Sequence, residues 1–235
     1  MLRILLSGML LALAPAIRSQ VFTFDFSGVN AAVPDGQPTG LVNVQSISSA
    51  PNLFVADINV ILTIAGTGVG GFTGDLYATL QHESGFAVLL NRPGRRTGSS
   101  AGYGDSGMNV TFDDSAIRDI HNYRLELSGS HSTAPSQTLN GAWSPDARNV
   151  DPAIVLDGSA RNAFLGSFNN LPVNGTWILF VTDLSSGGTQ QLSSWGMQIT
   201  ATPVPEPATY AAVTALTLLA FGGWRKLNAR RASPR

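Results

Sequence analysis

Residues 174–183 read Asn-Gly-Thr-Trp-Ile-Leu-Phe-Val-Thr-Asp, and residues 192–200 read Leu-Ser-Ser-Trp-Gly-Met-Gln-Ile-Thr. Both are short runs with aromatic and β-branched residues, bounded by Gly, Asn and Ser clusters, which is typical of β-strands. They predict two strands, at residues 177–183 and 195–200, joined by the loop 184–190. Each strand carries a tryptophan, Trp177 or Trp195, that is large enough to fill the space between two packed sheets, so both are predicted core residues.

The same pattern recurs through residues 21–203, where helix signals are almost absent. Five more strands are predicted at residues 21–26, 58–64, 76–80, 86–90 and 108–112. The Ser84-Gly85 pair predicts a hairpin between the third and fourth of these. Residues 91–107 and 128–162 are irregular and rich in polar residues, Gly and Pro, and are predicted to be loops. The whole predicts an all-β fold, an antiparallel β-sandwich with one buried face on each sheet.

The first 20 residues have the layout of a secretory signal peptide. Arg3 gives a positive start, residues 4–14 are almost entirely apolar, and Ala14-Pro15-Ala16 offers the small residues that a signal peptidase recognises. A buried N-terminal helix is the alternative, but it would lack a polar face. We therefore expect export through the inner membrane and cleavage within or close to this segment.

Residues 203–235 consist of a proline-rich motif, an apolar run and a basic tail. The motif is Val204-Pro205-Glu206-Pro207, residues 210–224 carry no charge, and residues 225–235 carry five basic and no acidic residues. At about 1.5 Å per residue the apolar run reaches about 22 Å as a helix, short of a bilayer core of roughly 30 Å. This length favours a transient anchor over a permanent one.

The same segment resembles the PEP-CTERM sorting signal of exopolysaccharide-producing Gram-negative bacteria. The resemblance implies an exosortase-type membrane enzyme that recognises Pro205-Glu206-Pro207 and cuts near it, while residues 210–224 lie transiently in the inner membrane. The mature protein is then expected at the cell surface or in the extracellular exopolysaccharide matrix. An ordinary single-pass tail anchor is the alternative.

Several segments within residues 44–202 resemble, in order, pieces of the P domain (P/Homo B domain) that follows the catalytic domain of kexin-like and furin-like subtilases. The pieces are Gly74–Leu80, Asn91–Gly94, Asn109–Ala116, Leu165–Phe168, Asn174–Asp183 and Leu192–Ile199. The resemblance implies a jelly-roll-like β-sandwich, with Leu165–Phe168 as a short strand and residues 21–43 as an N-terminal strand and lead-in. A subtilase catalytic domain has no room before residue 44, so we expect the module to stand alone.

Four aspartates at predicted strand ends or loops are candidate calcium ligands, because hard cations bind carboxylate and carbonyl oxygens. They are Asp75, Asp113, Asp114 and Asp183. Two alternatives stay open, since the chain contains no D-x-D-x-D-G loop. In one, Asp183 accepts backbone N–H bonds from the turn that follows it. In the other, the acidic side chains form a solvated rim.

The strongest signal for catalysis is Gly104-Asp105-Ser106-Gly107, which is similar to the nucleophile motif of trypsin-like proteases. Met108-Asn109 stands where that family has Gly-Pro, and the one upstream histidine, His82, lacks the family's Ala-His-Cys surroundings. The three histidines have no zinc-ligand spacing. We therefore predict a non-catalytic protein, with a cryptic serine hydrolase built on Ser106 as a remote alternative.

Charge is distributed unevenly along a chain whose formal net charge is −1. Residues 21–203 contain seven arginines, no lysine and fourteen acidic residues, a net charge of −7, which argues against binding to nucleic acid. The absence of cysteine excludes disulfides and thiol nucleophiles. The predicted function is an exported binding or adhesion module for exopolysaccharide or surface proteins. The alternative is an accessory that stabilises or regulates a secreted subtilisin-like serine protease.

Overall fold

Ten β-strands, two α-helices and three turns of 3₁₀ helix make up a computed structural model that describes residues 18–67, 70–203 and 214–225. The strands are β1 (Gln20–Phe26), β2 (Ala31–Val33), β3 (Leu41–Ile47), β4 (Leu53–Thr67), β5 (Leu76–His82), β6 (Gly85–Asn91), β7 (Met108–Phe112), β8 (Leu139–Trp143), β9 (Gly175–Asp183) and β10 (Thr189–Pro203). The helices are α1 (Tyr123–Ser128) and α2 (residues 214–225). The all-β prediction is confirmed.

The strands form two sheets that share one apolar core. The larger sheet has the order β1-β10-β4-β7-β8, with β2 also paired to β10, and the smaller has the order β3-β9-β5-β6. All the buried core residues lie between Val33 and Ala201, inside the compact unit Ser19–Thr202. The β-sandwich prediction is therefore confirmed. Strand β3 crosses residue 44, where the sequence placed the boundary between the N-terminal lead-in and the P-domain-like segment.

The antiparallel prediction holds for most strand pairs but is wrong for β7 and β8. These two strands run parallel, with Met108 opposite Leu139 and Phe112 opposite Trp143. Parallel neighbours need a long crossover, and here residues 113–138, which contain α1, provide it. The jelly-roll connectivity implied by the resemblance stays a prediction.

The predicted hairpin is confirmed as the pair β5 and β6, joined by the two-residue turn Glu83-Ser84. Glu83 has a φ of 50°, in the left-handed region that such tight turns use. The register shifts between Ala78 and Thr79, so one extra residue enters β6 at this bulge.

Both predicted core tryptophans are fully buried. Trp177 on β9 donates to the carbonyl of Val173 at 3.1 Å, and Trp195 on β10 donates to Oδ1 of Asn43 at 2.8 Å. The ring of His82 stacks on Trp177 with centroids 4.0 Å apart and an interplanar angle of 5°. Because β9 and β10 belong to different sheets, the two indoles fill the core from both sides, as the sequence predicted.

Two local predictions are wrong. Residues 128–162, predicted to be a loop, contain the strand β8. Asn140 and Gly141 interrupt the alternation of apolar and polar residues by which a strand is predicted. Residues Leu165–Phe168 form a turn of 3₁₀ helix rather than the short strand that the resemblance implied, and Leu165 and Phe168 point into the core.

Helix α2 belongs to a second unit of the chain, which comprises residues 1–18 and 203–235. Among the described residues, no helix combines the length and the hydropathy needed to cross a bilayer. The predicted signal peptide, the sorting motif Val204-Pro205-Glu206-Pro207 and the basic tail lie almost entirely outside the described residues.

Candidate binding surface

The outer face of the four-stranded sheet is unusually apolar for a surface that faces solvent. On β9 the core side chains Trp177, Leu179 and Val181 alternate with Ile178 and Phe180, which therefore point outward. Val42 and Val44 lie opposite them on β3 and are 56% and 53% exposed. Together with Tyr77 on β5, these outward side chains are called the uncovered face: Val42, Val44, Tyr77, Ile178 and Phe180.

A long loop, residues 144–163, covers the other half of the same face. It runs along β6, where the N–H of Val88 donates to the carbonyl of Ala163 at 3.0 Å. The carbonyl of Val88 in turn accepts from the N–H of Ala147 at 2.9 Å. Val88 and Asn91, which would otherwise be outward-facing on β6, are fully buried beneath this loop.

A buried polar network holds the 144–163 loop in place, and Asp146 is at its centre. The carboxylate of Asp146 is wholly buried and accepts from Nδ1 of His121 at 2.8 Å, from Nη1 of Arg148 at 3.2 Å and from the N–H of Asn91 at 3.2 Å. Arg148 also contacts both carboxylate oxygens of Asp119. Burial lowers the pKa of Arg148, but the bonds to Asp119 and the charge of Asp146 outweigh it and leave that pKa raised.

Arg95 positions the edge of the loop that meets the uncovered face. Its Nη1 donates to the carbonyl of Pro152 at 2.9 Å and its Nη2 to that of Ala153 at 2.8 Å. The carbonyl of Arg95 accepts from Nε2 of His121 at 2.9 Å, so this edge is tied to the same network as Asp146. The wall made by Pro152 and Ala153 is therefore rigidly supported.

A groove of about 390 Å³ lies between this wall and the uncovered face. Its floor includes the rings of Tyr77 and Phe180, which have centroids 6.4 Å apart at an angle of 67°. Its polar groups come from Arg92, Asp151 and Thr182. Apolar grooves with a few convergent polar groups are the usual form of ligand sites, so this groove is the candidate site. A depression of about 460 Å³ along residues 127–140 offers no aromatic ring.

Arg92 reaches the groove from a braced position. Its Nε donates to the carbonyl of Gly74 at 3.0 Å, and its Nη2 donates to Oδ1 of Asp75 at 3.2 Å and to Ser185 at 3.0 Å. Its Nη1 makes no hydrogen bond within the part of the chain that the structure describes. A guanidinium that is fixed through Nε and Nη2 and still has a donor at Nη1 is suited to contact a ligand.

The four predicted calcium ligands fall into two separate places. Asp75 and Asp183 lie together where β5 begins and β9 ends, and Asp113 and Asp114 follow β7. Asp183 accepts from the N–H of Ser185 at 3.3 Å, as one alternative predicted, and from Nε2 of Gln190 at 3.2 Å.

The carboxylate of Asp114 accepts from the N–H groups of Leu165 and Gly166, and that of Asp113 from the N–H of Ser115. The described residues contain no group of three acidic or histidine side chains placed to hold a metal ion. The donors around these carboxylates suit turn stabilisation better than calcium, so we expect no calcium at these aspartates.

The hydrolase alternative loses its proposed base. His82 is almost fully buried, and its Nδ1 and Nε2 lie 2.9 Å and 2.7 Å from the carbonyls of Thr176 and Pro172. Both ring nitrogens are therefore occupied by backbone acceptors and neither is available to Ser106. Asp105, which precedes Ser106, is held by both arms of Arg124 at 2.7 Å.

Sequence reasoning missed Tyr77, Phe180, Arg92 and Asp151. One signal for the first two was present: residues 177–181 are apolar throughout, whereas a strand with one solvated face alternates. That continuity indicated a strand with two apolar faces. Arg92 and Asp151 come together only through the fold, because 58 positions separate them and both lie in segments without periodicity.

Comparison with known proteins adds little to this description. No family model matches the chain, and no curated protein matches it. One solved structure with a matching chain is the crystal structure of the Aeromonas sobria serine protease ASP in complex with the chaperone ORF2. The match has 14% identity and a TM-score of 0.40, and it covers 81% of this chain. The chain spans 28% of the length of that matched chain.

We expect the Asp146→Ala substitution to lower the free energy of unfolding by about 3–5 kcal/mol, because it leaves the buried Arg148 and His121 without their shared acceptor. Urea unfolding of purified residues 18–203, which contain both sheets and the whole core, measures this loss. The matched control is Asp157→Ala, an exposed carboxylate on the same loop, with an expected change within about 0.5 kcal/mol. Equal effects of the two substitutions would contradict a central role for Asp146.

The Asp183→Asn substitution is expected to raise stability at pH 7. Burial raises the pKa of Asp183 above 3.8, with further contributions from Asp75 and Asp35, against bonds from Gln190 and Ser185. The folded state therefore binds the proton more tightly than the unfolded chain, and the charged form is penalised above the folded pKa. The gain should shrink as the pH falls towards 3.8. Urea midpoints at pH 7 and pH 4 measure it, and a less stable variant at pH 7 would show that the hydrogen bonds outweigh burial.

Thermal unfolding of residues 18–203 is expected to have the same midpoint in millimolar calcium and in excess chelator. The reason is that Arg92 neutralises Asp75, while N–H donors occupy Asp113, Asp114 and Asp183. A ligand that binds only the folded state raises the midpoint. A clear calcium-dependent rise would therefore contradict this expectation and restore the calcium site.

Proposed function

We propose that the sandwich is an exported, non-catalytic module that binds carbohydrate polymer of the extracellular matrix through the uncovered face and its groove. The observation that carries the proposal is the uncovered face itself, a continuous apolar surface on a regular sheet that ends at a groove with polar groups. Contiguous exposed apolar surface of this kind marks interaction sites in soluble proteins.

The chemistry of the groove favours sugar. Sugar rings have apolar C–H faces that lie against aromatic rings, and Tyr77 and Phe180 supply two rings at different angles. Sugar hydroxyls are both donors and acceptors, which suits the mixed set of Arg92, Asp151 and Thr182. Arg92 is paired with Asp75, and Arg95 lies near enough to Asp151 for the two charges to interact, so the charges around the groove balance and neutral sugar units fit best.

The shape of the site favours a polymer. The groove is open and continues onto the flat uncovered face, where Val42, Val44 and Ile178 extend the apolar surface beyond it. A chain of sugars can occupy the groove with one unit and lie across the face with the next. Export by the signal peptide and sorting through Val204-Pro205-Glu206-Pro207 would deliver the module to the cell surface or matrix where such polymers occur.

Binding of purified residues 18–203 to matrix polysaccharide, measured by affinity electrophoresis, tests the proposal. Phe180→Ala is expected to weaken binding at least tenfold, which corresponds to about 1.4 kcal/mol. The matched control is Phe72→Ala, because Phe72 is an exposed ring away from the groove, at 41% exposure. The control should bind like the unmodified protein.

Two outcomes would count against the proposal: no retardation by any matrix polysaccharide, or equal retardation of the Phe180→Ala variant and the unmodified protein. The accessory role implied by the P-domain resemblance stays a prediction. A pull-down with a secreted subtilase tests it on the same two proteins. If Phe180→Ala weakened binding to the subtilase but left binding to polysaccharide unchanged, the accessory role would be favoured.

A further inference from the structure

Two open sheets have outer strands whose backbone groups on one side are unpaired, and four of the five outer strands in the described residues are protected. The outer strands are β1, β2 and β8 in the larger sheet and β3 and β6 in the smaller, and β2 is protected by its length of only three residues. An unpaired strand edge is a template for pairing with another chain unless something covers, charges or distorts it.

The 144–163 loop covers β6 through backbone bonds to Val88 and Leu89. The edge strand β8 is distorted by Gly141, whose φ of +89° breaks regular strand geometry at its centre. The edge strand β1 carries the exposed charge of Asp25. Each of these features discourages the addition of a further strand.

The remaining edge, β3, has none of these protections. Its sequence, Leu-Val-Asn-Val-Gln-Ser-Ile, contains no charge, no proline and no glycine, and it pairs with β9 in unbroken register from Leu41 to Ile47. Within the described residues β9 is the one strand that pairs with it. Val42 and Val44 beside this edge are more than half exposed.

We propose that β3 is the dimer interface of this protein, where β3 of a second copy adds in antiparallel orientation about a two-fold axis at Val44. Antiparallel pairing of a strand with itself is self-complementary and closes at two subunits. A centre at Val44 uses all seven residues, a ladder about 24 Å long. No charged residue faces another across it.

The side-chain amides on the inner side of β3 support this register. With Val44 at the axis, Asn43 lies opposite Gln45 of the second copy. Gln45 donates through Nε2 to Oδ1 of Asn43 at 2.9 Å, and that oxygen also accepts from Trp195. Nδ2 of Asn43 and Oε1 of Gln45 make no hydrogen bond within the described residues. In the dimer, Nδ2 of Asn43 in one copy would therefore lie opposite Oε1 of Gln45 in the other, a donor opposite an acceptor. The two-fold axis repeats this pair on its other side.

Such a dimer would join two four-stranded sheets into one of eight strands. The two uncovered faces would then be continuous on the same side, with Val44 of each copy in contact at the centre. A polymer long enough to reach both grooves would bind by two sites at once, which raises the apparent affinity without new contacts.

A single engineered cysteine tests the register, because the natural chain contains none. Opposed residues of antiparallel strands have Cα atoms about 4.5–5.5 Å apart, within the range that a disulfide spans. Val44→Cys in residues 18–203 is expected to give a covalent dimer under mild oxidation on a non-reducing gel. The matched control is Val21→Cys on the β1 edge, where the native valine is 61% exposed, and it should run largely as the monomer on the same non-reducing gel.

Sedimentation equilibrium tests the dimer without cross-linking. The unmodified protein is expected to have twice the monomer mass, Val44→Lys to be monomeric, and Val21→Lys to remain dimeric. A monomeric unmodified protein at high micromolar concentration would overturn the proposal, as would equal cross-linking of the two cysteine variants. If Val44→Lys fails to fold by circular dichroism, the conservative Val44→Cys variant still decides.

Discussion

The buried carboxylate of Asp146 is the interaction on which the accessible surface of this sandwich depends. It accepts hydrogen bonds from His121, Arg148 and the backbone of Asn91, three groups that would each be costly to bury unpaired. Because these bonds fix the 144–163 loop, they determine which half of the outer sheet face is covered. The same loop closes the β6 edge, so one network both shapes the groove and protects one edge of the sheet.

Burying the polar groups of this network costs free energy, and the network provides conformational specificity in addition to stability. Replacing such a cluster by apolar side chains is often neutral or stabilising in proteins, so stability alone does not account for it. A loop of twenty residues without regular structure has few ways to hold one conformation. Directional bonds through Asp146, Arg148 and Arg95 supply that specificity, and they place Pro152 and Ala153 opposite Tyr77 and Phe180.

The fold was largely predictable because local patterns carry it. Strands β1, β4, β5, β6, β7, β9 and β10 follow from runs of apolar and β-branched residues, and the burial of Trp177 and Trp195 follows from their places in two of them. Strand β8 was not predictable in this way. Its sequence Leu-Asn-Gly-Ala-Trp has little strand propensity, and its parallel pairing with β7 depends on a contact about thirty residues away.

The candidate site was less predictable, because its parts meet only after folding. Tyr77 and Phe180 carried a partial signal in strands that are apolar on both faces. The aspartates drew attention to calcium because sequence shows carboxylates but not their donors. Asp114 is matched by N–H groups some fifty residues away in the chain, and Asp75 by Arg92. No local rule reports such partners.

The uneven charge of the sandwich becomes informative once the arginines are located. Each of the seven contacts a carboxylate, a carbonyl or a ring, from the two-armed bond of Arg124 with Asp105 to Arg118 over Trp143 at 4.7 Å. A planar guanidinium with five donors can brace several loop carbonyls at once, which one ammonium group cannot, and this accounts for the absence of lysine.

Positive charge is thus used largely to brace loops, while several acidic side chains stay exposed: Asp25, Asp57, Glu83, Glu126, Asp151 and Asp157. A surface of this kind repels anionic polymers, nucleic acid and acidic polysaccharide alike. The surroundings of the groove, where Arg92 pairs with Asp75 and Arg95 lies near Asp151, are close to neutral by contrast. Charge on the rest of the body and neutrality at the groove therefore both favour the proposed ligand, an uncharged polymer that presents apolar faces and hydroxyl groups.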